Sequence, residues 1–424
     1  MSGAARQTGT APDVIMDPAE RWWVSRLNRL AAVHGGWTPP GRVEIRDVTL
    51  REGEEMAGVV LSEEQKIALA QYARSIGIQE IQVGYCGAIR EHEQLARAMR
   101  RAGIDARLVS LNRSYARSGE WETEIDRAVA AGVDVVTLAA LCSDDLLASA
   151  PWLPRSDVPE RIEQTVGYAK AAGVNVGCGL AGATQTDPRW VEECARAAAS
   201  GGADFVSLAD TTGCALPEAV EFLMLLTRDA VGPSVRLSFH GHDTFGLATA
   251  NALAAVRGTA DIIDAVPLGL GEGSGIVPLE EIAFALEVLY GVSTGLEMDR
   301  VADFARFAAE TFGVEALPTK TFIGTSIYRH AVDSHIAAIL RGRWQTWECV
   351  QPSLLGQVRS LEFAPSRIRR GRSGAIWAKL EQLGHEPDSD ALDRIVDRVS
   401  EFALVAGFAT EDDVETIIRT ELST

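Results

Sequence analysis

The chain has 424 residues, enough for one large domain and a smaller second one, and 46% of them are hydrophobic, as in an ordinary globular protein. A formal net charge of −19 argues against a nucleic-acid partner, because duplex binding needs clustered Lys and Arg. No apolar run reaches membrane-spanning length, and the 6 cysteines contain no CxxC pair, so reduced thiols in a cytoplasmic protein are the simplest reading.

Residues 1–40 read as an N-terminal extension, partly disordered, whose first 13 residues lack the apolar core of a signal peptide. Short apolar runs then alternate with amphipathic stretches. The runs predict strands at Val43–Leu50, Glu80–Gly84, Arg107–Asn112, Asp134–Ala139, Asn175–Leu180, Asp204–Ala209, Val235–His240 and Ile262–Leu268. The 3.6-residue periodicity predicts helices at Ser62–Ile76, Trp121–Ala131, Val158–Ala172, Arg189–Ser200, Leu216–Ala230 and Phe245–Val256. Glycine follows many of these helices, as at Gly77, Gly103, Gly132, Gly173 and Gly202, where a left-handed residue closes a helix at little cost. Strand–helix alternation implies parallel pairing, and eight units in about 250 residues fit a (β/α)8 TIM barrel over 41–295; a doubly wound open sheet is the alternative. The remainder, 296–424, reads as a smaller, mainly helical accessory domain. Its predicted helices are Met298–Phe312, Ala375–Leu383, Ser389–Ala406 and Glu411–Glu421, with a loop-rich stretch around Pro318, His330 and His335. The basic run Arg367-Ile368-Arg369-Arg370 reads as a solvated face or an anionic-cofactor contact.

Three residues stand out chemically. Glu52 closes the first predicted strand, and His240-Gly241-His242 closes the seventh. Residues at i and i+2 of a strand share a face, so both imidazoles can approach one ion, joined by Glu52 if the strands are neighbours. Two imidazoles and a carboxylate suit a divalent metal with open coordination positions, the arrangement of a catalytic site. The plainer reading is that both histidines are satisfied by backbone partners at a strand end. A closed barrel brings the C-terminal strand ends to one mouth, which an open sheet does not.

Through these and further motifs the chain resembles a known group. Arg46-Asp47-Val48-Thr49-Leu50-Arg51-Glu52-Gly53-Glu54, Asp210-Thr211-Thr212-Gly213, His240-Gly241-His242-Asp243-Thr244-Phe245-Gly246 with Ala250-Asn251, and Gly269-Leu270-Gly271-Glu272-Gly273 resemble the metal-dependent superfamily of isopropylmalate synthase, homocitrate synthase and HMG-CoA lyase. Ser334-His335-Ile336-Ala337, Thr346-Trp347-Glu348, Pro352, Gly356 and Gly371-Arg372-Ser373-Gly374 resemble the accessory domain of the synthases, with homocitrate synthase closest in layout. The resemblance implies a condensation of acetyl-CoA with a 2-oxo acid on Mg2+, Mn2+ or Zn2+, followed by thioester hydrolysis, in an intertwined homodimer.

It also implies roles. Glu52, His240 and His242 are the implied metal ligands, and Asp47 supports them from behind. Arg51 stands beside the developing oxyanion, or alternatively pairs with Glu54 or Asp47. Thr211 binds the substrate carboxylate, unless it serves only the turn before the next helix. His335 is the implied acid/base, with His330 as a competitor. Glu55, Gln82, Arg113 and Thr211 are the expected substrate-binding residues.

Several positions depart from the family: Ile276 where Asn is usual, Ala181 and Gly182 where synthases hold an acidic pair, Glu55 for Gln, Gln82 for Glu, and Trp347 for Tyr. They imply an altered pocket for the oxo-acid side chain, with Glu55 facing a cationic or hydroxylated group or merely making a surface ion pair. Three rival readings are a carbon–carbon lyase of the HMG-CoA lyase type, a non-haem iron oxygenase with the same ligand set, and a non-catalytic metal-binding paralogue.

Overall fold

A computed structural model describes residues 14–365, 367–368, 373–386 and 388–423. Residues 1–13 of the extension expected to be partly disordered, Arg369 and Arg370 of the basic run, and Gly371-Arg372 of the accessory motif lie outside the described residues. The chain divides into two compact units, Ala31–Ala316 and Met1–Leu30 together with Leu317–Thr424.

The larger unit is a closed barrel of eight parallel strands in sequential order: β1 (Glu44–Asp47), β2 (Glu80–Gly84), β3 (Arg107–Arg113), β4 (Val135–Leu141), β5 (Asn175–Ala181), β6 (Phe205–Asp210), β7 (Arg236–Gly241) and β8 (Ile262–Ala265), with β8 pairing both β7 and β1. The open-sheet alternative is thereby excluded. Several strands are buried on both faces, the reason Val135–Leu141 reads as a nearly unbroken apolar run. Helices follow β1–β7 at Glu63–Ser75, Arg90–Arg101, Glu120–Ala130, Val158–Ala171, Pro188–Ser200, Pro217–Val231 and Ala248–Arg257, and Leu279–Phe284 follows β8. Local sequence starts them. Ser62 Oγ accepts from Gln65 N–H while the Gln65 side chain accepts from Ser62 N–H, and Pro188 and Pro217 occupy first helical positions. The junction glycines at 77, 103, 132, 173 and 202 all have positive φ.

Charged residues open several strands and fill the barrel floor. Arg46 is fully buried, with Nε 2.8 Å from Glu80 and Nη1 3.2 Å from Asp264, and its guanidinium lies over the Phe205 ring at 4.5 Å. Glu80 also accepts from Arg107 at 3.0 Å, and Glu44 from Arg236 at 2.8 Å. A buried guanidinium is tolerable only with such partners around it.

Two strands end three residues earlier than expected. β1 stops at Asp47 rather than Leu50, because the Asp47 carboxylate accepts from Thr49 N–H at 2.9 Å and turns the chain. β8 stops at Ala265 rather than Leu268, where Pro267–Gly269 forms one tight turn. Glu52 therefore sits in the loop after β1, not at a strand end.

The other unit is mainly helical. Helices Asp333–Leu340, Gly374–Gln382, Ser389–Ala406 and Glu411–Leu422 enclose an apolar cluster that includes Ile336, Phe363, Ile376, Ile395, Val399 and Ile418. Two small sheets accompany them, Val14–Met16 with Trp23–Ser25 and Arg329–His330 with Ser360–Leu361. His335 lies on a helix, Asp333–Leu340, not in the loop-rich stretch expected there. No helix among the described residues is long and apolar enough to cross a membrane.

Candidate active site and metal centre

A cavity of about 340 Å³ opens at the C-terminal strand ends, lined by residues of all eight strands and their loops. Glu52, His240 and His242 meet in it, with one ligand atom of each within 4.8 Å of the others. The turn after β1 aims Glu52 inward: Glu52 N–H donates to Val48 O at 2.8 Å, and its side chain is 1% exposed. His240 is in β7, and His242 follows the strand with its N–H on Asp210 O at 3.2 Å. Glu52 Oε2 is 3.5 Å from His240 Nε2, and Oε1 is 3.9 Å from His242 Nε2. Ligand atoms each ~2.1 Å from one cation lie roughly 3–3.5 Å apart, so the donor set fits a divalent ion with little adjustment.

Electrostatics favours a ligand-ready carboxylate. Burial works against the Glu52 charge, but Arg51 and His240 outweigh it and hold its carboxyl well below the usual range. Burial likewise opposes an imidazolium at His240, yet the carboxylates of Asp264 and Glu52 raise it to about 9. His242 goes the other way, lowered by burial and by His240 beside it.

Arg51 lies next to this trio. Its Nη1 contacts Glu52 and, at 3.4 Å, Glu55, while its Nε donates to Gln82 Oε1 at 2.7 Å. The ion pairs considered from sequence, with Glu54 or Asp47, are absent; Glu54 instead accepts from Lys66 at 2.6 Å. Glu55 also accepts from Tyr85 O–H at 3.0 Å and lines the cavity, so its solvent-exposed ion pair with Arg51 stands at the cavity mouth. Burial pushes the Glu55 carboxyl up and the Tyr85 phenol to about 12. Thr211 lines the cavity and its Oγ1 accepts from Gly182 N–H at 2.9 Å. Its neighbour Asp210 serves the turn, accepting from Cys214 and Ala215 N–H, both at 3.2 Å.

Arg113 does not join them. Its guanidinium pairs with Glu124 on the following helix and does not line the cavity. His335 belongs to the other unit, where its ring stacks on Trp347 with centroids 3.5 Å apart. His330 is 6.0 Å from His335 and is held by Glu348 at 2.9 Å, which makes it a supporting residue there rather than a free acid/base.

The departures also find their places. Ile276 is fully buried, donates its N–H to Gly269 O at 3.1 Å, and does not line the cavity. Ala181 does line it. Gly182 has φ +72°, and a Cβ there would stand 2.9 Å from both Leu146 Cδ1 and Ser143 Oγ. Several cavity residues escaped the sequence reading, Asp264, Tyr85 and Glu272 among them. Asp264, behind His240, was signalled by an acid inside the apolar run Ile262-Ile263-Asp264-Ala265. Tyr85 follows β2 directly. Glu272, whose N–H reaches Glu52 Oε1 at 3.4 Å, lies in the glycine loop already singled out.

A (β/α)8 barrel with a carboxylate and two imidazoles converging at its mouth is the scaffold of a barrel enzyme with a candidate divalent-cation centre. Residues 42–308 match the HMGL-like family, and the chain belongs to it. A homocitrate synthase of Methanopyrus kandleri is 31% identical over 383 residues, covering 90% of this chain and 93% of its own. A putative (R)-citramalate synthase of the same organism is 31% identical, covering 89% and 72%. A probable 2-isopropylmalate synthase of Ignicoccus hospitalis is 29% identical, covering 90% and 92%. Among solved structures, the HMG-CoA lyase of Bacillus subtilis superposes with a TM-score of 0.57 at 22% identity, covering 65% of this chain and 96% of that one, a likeness of fold.

Proposed function

We propose that the chain is an acyl-CoA:2-oxo acid C-acyltransferase that condenses acetyl-CoA with a 2-oxo acid and releases a 2-alkylmalate or homocitrate-like product. The observation that carries this reading is the meeting of Glu52, His240 and His242 beside Arg51, in a chain similar to named synthases along nine-tenths of its length. The similarity to synthases extends beyond the barrel, which favours synthesis over the lyase direction. Bound at Glu52, His240 and His242, a divalent ion (Mg2+, Mn2+ or Zn2+) would supply Lewis-acid polarisation of the ketone.

The chain's own residues do the rest. Arg51, fixed by Gln82 and Glu55, presents positive charge where the ketone oxygen becomes an alkoxide. Thr211 offers a hydroxyl to the 2-oxo acid carboxylate. His335 is assigned the proton transfers: an α-proton leaves the acetyl group, the new carbon–carbon bond forms at the ketone carbon, and the ketone oxygen is protonated to a hydroxyl. An imidazole suits this because it titrates near working pH. Water then cleaves the thioester to a carboxylate and free CoA. A cytoplasmic homodimer completes the proposal, in line with the reduced-thiol composition and the resemblance.

The test is CoA release from acetyl-CoA, read as free thiol, across 2-oxo acids with each of the three metals. His242→Ala should lose both metal and thiol release while the circular dichroism stays unchanged. Thiol release that survives in the variant, or none in the parent with any acid and metal, would end the proposal.

A further inference from the structure

The cavity has two unlike halves. The β1, β2, β7 and β8 side holds the charged groups. The β3–β6 side is formed by Leu111, Tyr115, Leu141, Leu146 and Ala181, with small residues between them that include the hydroxyls of Thr137 and Ser207. Among the described residues lining that side, none carries a charge. Apart from the imidazoles of the metal centre, the lining cations are Arg46 and Arg51, and both have carboxylate partners. Arg46 is held by Glu80 and Asp264 and lies over Phe205, and its Nη2 is buried without a hydrogen-bond partner. Arg51 is bound to Glu52, Gln82 and Glu55. Carboxylates in the lining (Glu52, Glu55, Asp264, Glu272) outnumber the cations.

We infer that the 2-oxo acid accepted here carries an uncharged, apolar side chain, branched aliphatic or aromatic, seated against Leu111, Tyr115, Leu141, Leu146 and Ala181; this rests on the proposed acyltransfer at the same site. The head of the substrate, with its carboxylate and ketone, occupies the end near Glu52, Arg51 and Thr211. Its remaining atoms then face the uncharged side. A second carboxylate placed there would be buried without a cation, and an unpaired buried charge is strongly disfavoured. Small residues provide the room. Ala181 contributes only a methyl group. Gly182, in its left-handed conformation, lets Leu146 come in over the cavity, because any Cβ at 182 would displace it. Leu146 and Ala181 are thus specificity-determining positions.

The experiment uses the full chain loaded with Mn2+. Binding is measured by calorimetry and CoA release by thiol assay, for 2-oxo-4-methylpentanoate, phenylpyruvate, 2-oxoglutarate and 2-oxo-5-guanidinopentanoate. The apolar acids should exceed 2-oxoglutarate by at least ~100-fold in kcat/KM and in affinity, the scale expected for an unpaired buried charge. Leu146→Arg, on a four-residue helix at the cavity edge, should narrow that gap by ~10-fold or more through KM, and Ala181→Leu should exclude phenylpyruvate first. If 2-oxoglutarate or the guanidino acid is bound and turned over as well as the apolar acids, the inference is overturned while the acyltransfer reading stands. If the apolar acids alone bind but no CoA is released, the pocket inference stands and the acyltransfer reading falls. If no acid binds, both fall.

Discussion

Asp264 Oδ2 stands 3.2 Å from Nδ1 of His240, on the opposite side of the ring from Glu52. One imidazole nitrogen is thereby committed to a buried carboxylate, and the other is turned toward Glu52 and His242. Carboxylates placed behind a ligating histidine fix its tautomer and raise its basicity. Asp264→Asn keeps a hydrogen-bonding group at this place but removes its charge. The expected outcome is metal affinity weakened by ~10–100-fold with the fold retained. Chelator competition with Zn2+ or Mn2+ would measure it, and an unchanged dissociation constant would remove Asp264 from the site.

The glycine loop after β8 offers a contrast between two neighbours. A Cβ on Gly275 would stand 1.7 Å from Gly269 O, and the residue has φ +77°. Gly273 also has positive φ, +61°, but a Cβ there meets open space. Gly273→Ala should cost only the ~1–2 kcal/mol of a left-handed alanine. Gly275→Ala should cost clearly more and also weaken metal binding, because Gly275 O accepts from Asp243 N–H at 2.9 Å, next to His242. Equal melting temperatures for the two variants would contradict this.

Much of this site can be read along the sequence, and what cannot has physical reasons. The strand Glu80–Gly84 agrees in both bounds, and so do the long helices Met298–Phe312 and Ser389–Ala406, whose amphipathic period is local. The His240–His242 spacing is local, so its chemistry is visible. Arg113 misleads because its partner Glu124 is on the next helix, a contact that no local spacing reveals. The helix carrying His335 goes unseen because it has eight residues and its N-cap position is Val332, with no side-chain cap to announce it. Asp264 is hidden differently. Alone it looks like a strand interruption, and only the closed barrel brings Arg46 and His240 to it.

His335 gives the sharpest kinetic test. Burial and the nearby His330 keep its pKa below the ordinary value, so the ring is largely neutral near pH 7 and able to take up a proton. His335→Ala should lower turnover by ~10²–10⁴-fold, the usual loss of an acid/base, while metal content stays the same. A variant with full turnover would return the proton transfers to a barrel residue.

Asp47 supplies a pH signature separate from catalysis. It is 1% exposed, one of its oxygens has no partner, and burial raises its carboxyl from 3.8 to about 6 despite hydrogen bonds from Thr49. The folded state thus keeps this proton longer than the unfolded chain does. Its favourable contribution is fully present below the unfolded value and is lost as pH rises through about 6. At ~1.4 kcal/mol per pH unit, the loss approaches ~3 kcal/mol. Asp47→Asn retains an acceptor for the Thr49 N–H and cannot ionise, so it escapes the loss. Glu52, Glu80 and Asp264, all held below their usual values, give both proteins the opposite trend, stability that falls on acidification. The informative quantity is therefore the difference between parent and variant. Denaturant unfolding from pH 4 to pH 7 should show the variant gaining on the parent as pH rises, most steeply up to about 6. Two curves that stay parallel across the range would mean that Asp47 is ionised throughout.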